Sequence, residues 1–311
     1  MKQSVPNVKD IFPRQYNKMM RMHEVKTAKK HRKESGSMQK LLKAKISLML
    51  SIVLVLVSIG GTWAVTYVST SSEAAPVVND GNSTQKTDEE LYAEAVKDAM
   101  TVEPEEILPL VSLDEDSPYG VYDEQGRILL LTFHKYPDSY PDGNDVKIEW
   151  GEVWTFTGGE LADWYNEHKD SVNDWPARLR QLIGLTPDNQ ATHFTAMWVN
   201  PEDVLRPAYV QEIGEVQMTS ALSENTDEAF KEWFDSNIIW SYFDSAYPWT
   251  RLGYTYDWAA DAEDEYGLSE FLVADGSEVK VAYTVTTEEM LSMLEDGSWQ
   301  PDANEALQDA A

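Results

Sequence analysis

The chain predicts an α+β extracytoplasmic domain with a mainly antiparallel sheet, tethered by one N-terminal transmembrane helix. Three observations carry that expectation. Residues 46–72 contain no charged side chain. Charge divides at that run: residues 1–45 carry 13 Lys/Arg and three acids, whereas 12 basic and 51 acidic residues follow. Beyond residue 87, segments with the two-residue period of strands and the 3.6-residue period of helices mix without regular alternation, which favours α+β over a doubly wound fold.

The basic tail, 1–45, holds few large apolar residues. Its net +10 suits a solvated arm lying on anionic lipid headgroups, each Lys/Arg near the surface adding about 1 kcal/mol. The apolar heart of the next segment, 46–68, would span roughly 34 Å as a helix, enough for a bilayer core of about 30 Å. Lys40, Lys43, Lys45 and "KKHRK" (29–33) precede it, and Trp63 and Tyr67 sit toward its far end. The expectation is a signal anchor in the lipid bilayer of the cell membrane, N-terminus cytoplasmic and C-terminal domain outside. A cleaved signal peptide would need a basic region far longer than usual, and Pro76 directly after Ala75 is a poor cleavage context.

Residues 69–102 read as a polar spacer and stalk helix. The spacer is rich in Ser, Thr, Asn, Gly and Pro and includes the glycosylation pattern Asn82-Ser83-Thr84. Thr87 and Glu90 form a capping-box pattern before an apolar face of Leu91, Ala95, Val96 and Ala99, so 87–100 is a stalk helix or the first helix of the domain.

Residues 103–295 form the expected acidic domain. The segment 119–133 reads as two strands about a turn at 123–126, and 146–156 as a strand with a bulge near Gly151. Helices are expected over 157–169 and 174–185, the second capped by Asp174 and ended by Gly184. A strand over 192–199 precedes a short helix, 200–207, opened by Pro201 and stopped by Pro207. A longer helix follows over 225–243, with Phe230, Trp233, Phe234 and Ile238 on one face. Asp275-Gly276 between two strand-like runs reads as a hairpin, and 286–294 as a helix capped by Thr286 or Thr287. The tail, 296–311, is polar and expected to be disordered.

Much chemistry is excluded by composition. With no Cys there is no disulfide, thiol nucleophile or Cys-ligated zinc. His134, His168 and His193 lack metal-ligand spacing, though His134 and His193 lie at strand positions that a sheet can bring together. No HExxH, GxSxG, P-loop or GxGxxG occurs, so neither a metal nor a cofactor is expected. A domain at net −39 repels nucleic acid. The acidic run 257–267 lacks the EF-hand register and reads as a solvated loop.

Arg206 ("VLRPAY") and Arg251 ("PWTRLGY") stand out because each lies among aromatic or proline residues, where a guanidinium stacks or grips a carboxylate. In 247–258, "YPWTRLGYTYDW", Leu252, Tyr254, Tyr256 and Trp258 alternate with Arg251, Gly253, Thr255 and Asp257. The even face is expected in the core, leaving Trp249, Arg251, Asp257 and Arg206 as candidate ligand-binding residues. Ten Trp after the span supply stacking surface. The functional expectation is a membrane-anchored binding module for an envelope glycan, a peptide or a protein partner. The alternative is an envelope hydrolase using two carboxylates, with Asp257 or Glu270 taking part.

Overall fold

The computed structural model describes residues 86–301. The basic tail, the apolar span, the spacer with its sequon and residues 302–311 lie outside the described residues. Among the described residues, no helix is long and apolar enough to cross a membrane.

The first helix, α1 (Asp88–Asp98), forms both halves of its capping box, Glu90 N–H donating to Thr87 Oγ1 and Thr87 N–H to the Glu90 carboxylate. Its Tyr92, Ala95 and Val96 pack with Trp258, and the Tyr92 and Trp258 rings meet edge-on at 5.5 Å. That burial makes it a helix of the domain rather than a free stalk.

Eight strands follow: β1 (Ile128–His134), β2 (Asp145–Lys147), β3 (Val153–Phe156), β4 (His193–Val199), β5 (Val204–Leu205), β6 (Tyr254–Tyr256), β7 (Tyr266–Val273) and β8 (Glu278–Thr286). They form one sheet in the order β2-β8-β4-β1-β3-β7-β5, with β6 paired to β7, and every pairing is antiparallel. Four further helices are α2 (Gly158–His168), α3 (Trp175–Leu182), α4 (Glu228–Ile239) and α5 (Thr287–Asp296). The α+β class with a mainly antiparallel sheet is therefore observed.

Several local expectations are corrected. Asp275-Gly276 turns the chain, with Gly276 at φ 96°, but β7 and β8 are not partners. The short link between them passes β3, β1 and β4. Five residue steps reach at most about 18 Å, whereas four strand spacings in a flat sheet cover about 19 Å. The sheet must curl to bring the strand ends together. Gly276 N–H donating to the Ile148 carbonyl and Ile148 N–H to the Ser277 carbonyl fasten the link. The 146–156 segment is two strands, because Gly151 at φ 107° redirects the chain and β3 pairs elsewhere than β2. The 200–207 helix is a single 3-10 turn, Pro201–Asp203, after which Val204 and Leu205 join β7. Chain order continues past residue 296: Trp299 packs on the core and its carbonyl accepts from the Tyr283 hydroxyl at 2.6 Å.

The curled sheet is apolar on both faces. One face carries Leu129, Leu131, Phe133, Phe156 and Leu268 beneath α2, α3 and α5. The other carries Ile128, Leu130, Met197, Phe271 and Val281, with Leu113, Tyr140 and Ile148 closing it from loops. This is why β1 reads as an unbroken apolar run, "ILLLTF", rather than an alternation.

Candidate functional site

The helix-covered face of the sheet is not sealed beyond α3. Register pairs Phe156 of β3 with Glu270 of β7, and Trp154 with Leu272, so Trp154, Phe156 and Glu270 share that face. They border a pocket of about 220 Å³. One wall is the α3 exit, Ile183–Leu185. Gly184 turns there at φ 67°, and a Cβ would lie 3.4 Å from the Tyr256 carbonyl oxygen. β6 and the chain just after it hold this wall in place: Thr255 Oγ1 donates to the Leu182 carbonyl at 2.8 Å, and Trp258 Nε1 to the Leu185 carbonyl at 2.9 Å.

The opposite wall follows α4. The helix widens into a π turn, Trp240–Ser245, and Ala246 reverses the chain at φ 56°. Tyr247 N–H then donates to the Ser241 carbonyl at 2.7 Å. This return stacks the Tyr247 ring on Trp240, 5.7 Å apart and 10° from parallel, at the edge of the pocket. Trp249 is buried behind them against Trp233 and Phe234, its Nε1 donating to the Pro207 carbonyl at 2.9 Å.

Glu270 is the only charged side chain lining this pocket among the described residues. Glu270 is half-buried at the pocket, and among the described residues no hydrogen bond or counter-charge answers its carboxyl, so loss of water around it pushes it well above the ordinary carboxylate range. Its neighbour Glu160 shows the contrast. Glu160 accepts from Thr157 Oγ1 at 2.6 Å and from Ser269 Oγ at 2.7 Å and N–H at 3.2 Å.

A second, polar cleft lies between α2, α3 and the acidic loop. Its centre is a two-point ion pair, Arg178 Nη1 to Asp257 Oδ1 at 2.9 Å and Nη2 to Oδ2 at 2.5 Å. The guanidinium sits 4.7 Å over the Trp164 ring, which stacks on His168. Burial raises the Asp257 carboxyl, with Arg178 drawing it the other way. Asp257 also accepts from Ala259 N–H, so both members of the pair are occupied by the protein.

The two arginines singled out in the sequence are tied inward, to neither a carboxylate nor a groove. Arg206 is fully buried, 5.4 Å over Phe271, and its terminal nitrogens donate to the carbonyls of Val111, Glu212, Ile213 and Glu215. Only its Nε is unanswered, and burial lowers it to about 10. Arg251, at φ 65°, donates to the Ala99 carbonyl at 2.9 Å and the Tyr209 hydroxyl at 3.1 Å, clamping the end of α1. The 247–258 stretch is thus buried on both faces, since Arg251, Thr255 and Asp257 are covered as well as Leu252, Tyr254 and Trp258. Only Tyr254–Tyr256 is strand, because Arg251 and Gly253 both take left-handed backbone.

Of the four candidate binding residues, then, the structure brings Trp249 to the aromatic pocket and Asp257 to the polar cleft, and holds Arg206 and Arg251 in the interior. His134 and His193 do face each other across β1 and β4, and His134 Nε2 is 2.7 Å from Thr195 Oγ1. No group of three His, Asp or Glu able to hold a metal occurs among the described residues. Trp154, Trp240 and Tyr247 carried no signal alone. Glu270 did: in Leu268-Ser269-Glu270-Phe271-Leu272 it occupies the strand face that Leu268 and Leu272 make apolar, a polar residue at a core position. Comparison with protein-family models, curated proteins and solved structures finds no match for this chain.

Proposed function

We propose that this chain is a single-pass, membrane-anchored extracytoplasmic binding module whose aromatic pocket takes up a small ligand at Glu270. The observation that carries the reading is the unanswered carboxyl in a pocket lined mainly by aromatic and aliphatic residues. A fold has no structural use for such a group, and it stays costly until something pairs with it. The pocket size is suitable, since a dry cavity of about 150 Å³ already accepts benzene. The pocket offers one carboxyl, whereas glycoside cleavage needs two, which supports binding over hydrolysis at this site.

The anchoring rests on the charge-free run 46–72 between a basic and an acidic segment. The cysteine-free chain makes topology directly testable. Cysteine placed at Ser83 should react with an impermeant thiol reagent on intact cells, and cysteine placed at Ser37 only after permeabilisation. Reaction of both or neither on intact cells overturns the orientation. For the pocket, ligand-induced thermal stabilisation of the full-length protein should disappear on Trp154→Ala. Ligands that stabilise both forms equally bind elsewhere.

A further inference from the structure

We infer that the ligand of this pocket is a small organic cation, an ammonium group carried on an apolar body about one ring in size. This rests on the pocket being a ligand site, and it follows from what each ligand class would meet there. An anion would face Glu270 and the negative faces of the surrounding rings. A purely apolar guest would fill the space and strip water from the half-buried carboxyl without pairing it, at the cost that an unsatisfied polar group carries. An ammonium pairs with the carboxylate and with the ring faces together, and both attractions are strengthened by exclusion from water. The acidic domain around the pocket, with 51 acidic and 12 basic residues after residue 45, raises the local concentration of cations over anions.

The same geometry makes binding depend on pH. The pocket residues from β1, β3 and the Ile183–Leu185 wall include no titratable group. The titratable groups across the pocket are the phenols Tyr247, Tyr254 and Tyr256, all raised by burial and neutral through the physiological range. No cation or second carboxyl lines the pocket among the described residues. The empty pocket therefore favours protonated Glu270, and an ammonium must displace that proton. Affinity for a cation rises with pH until Glu270 is ionised without help. Affinity for a neutral hydrogen-bond acceptor, which pairs with the protonated acid, falls over the same interval.

Calorimetric titration of the full-length protein in detergent micelles with benzylammonium, benzyl alcohol and benzoate tests this. The expected result is benzylammonium binding at least tenfold tighter than benzyl alcohol, no benzoate binding, and an ammonium affinity that climbs from pH 5 to pH 8. Glu270→Gln should abolish both the preference and the pH slope, and the wild-type pH profile decides the matter if that variant folds poorly. Benzyl alcohol binding as tightly as benzylammonium, or an ammonium affinity flat with pH, overturns the cation and leaves the pocket as a ligand site. Absence of binding by all three probes overturns both.

Discussion

Arg206 and Glu270 lie on opposite faces of β7 and meet opposite fates. Arg206 sits over Phe271 with four carbonyls from two loops arranged around its guanidinium, which staples 111 to 212–215. Glu270, the residue before Phe271 on β7, has no hydrogen-bond partner or counter-charge arranged around it among the described residues, only a pocket rich in rings. Arg206 is fully buried and Glu270 half-buried, in a chain with no disulfide to absorb the cost. The difference teaches how to read such groups. A buried charge that the backbone has closed around is part of the architecture, and one left open is waiting for a partner from outside.

The largest effect should come from opening the closed site. Arg206→Met would leave four carbonyls without their donor and should cost on the order of 3–5 kcal/mol in denaturant unfolding. Arg206→Lys should lose most of that too, because an ammonium cannot present a planar fork to carbonyls on two sides. Wild-type stability in the Lys variant would show that the charge, not the fork, is what matters.

The Arg178–Asp257 pair is closed as well, but by a single partner at the rim of a cleft. Asp257→Asn should cost about 2 kcal/mol, less than Arg206 because solvent reaches Arg178. The double change Arg178→Met with Asp257→Leu should recover part of the loss, since the uncompensated charge is then gone. A double variant as unstable as the two single changes added together would mean the pair is not coupled.

The open site should respond in the other direction. Burial raises Glu270 in the folded state, so the fold holds a proton that the unfolded chain releases. Stability is lost as pH rises from the ordinary carboxylate value through the raised one. Glu270→Gln should therefore be more stable than the wild type at pH 8, with the gap shrinking toward pH 5. A Gln variant less stable at pH 8 would place a hidden partner on the carboxylate and make this site as closed as Arg206.

Much of this was legible before folding, though unevenly. Helix ends carried local signals, and Thr87, Thr157, Asp174 and Thr286 all cap where side chain and spacing direct. Strand partners did not, because pairing is set by curvature across the sheet. Asp275-Gly276 has the chemistry of a hairpin turn, yet the strands it joins are claimed by β3 and β2 on one side and by β5, β6 and β4 on the other. At the site, Arg206 and Arg251 attracted notice for their aromatic neighbours, but backbone carbonyls, which no sequence displays, are what hold them. Glu270 broke the alternation of its strand and was readable there. The walls that make it a pocket come from separate stretches of the chain, among them residues 154–156, 183–185 and 247–249, which only the fold brings together.

His134 offers the mildest test of the same rule, because it is only partly answered. One ring nitrogen meets Thr195 Oγ1 and the other accepts from Tyr136 N–H at 3.1 Å, an arrangement complete for the neutral ring and broken by a second proton. Burial, with the charge of His193 across the strand pair, lowers it to about 4. A base lowered in the folded state contributes stability that is intact above pH 6.5 and declines as pH falls from there toward 4. Over that window the wild type should lose more stability than a His134→Gln variant, whose amide keeps a neutral donor and acceptor. Parallel stability curves for the two proteins from pH 7 to pH 4 would show that the folded domain accommodates the protonated ring, and that two hydrogen bonds do not suffice to close a site.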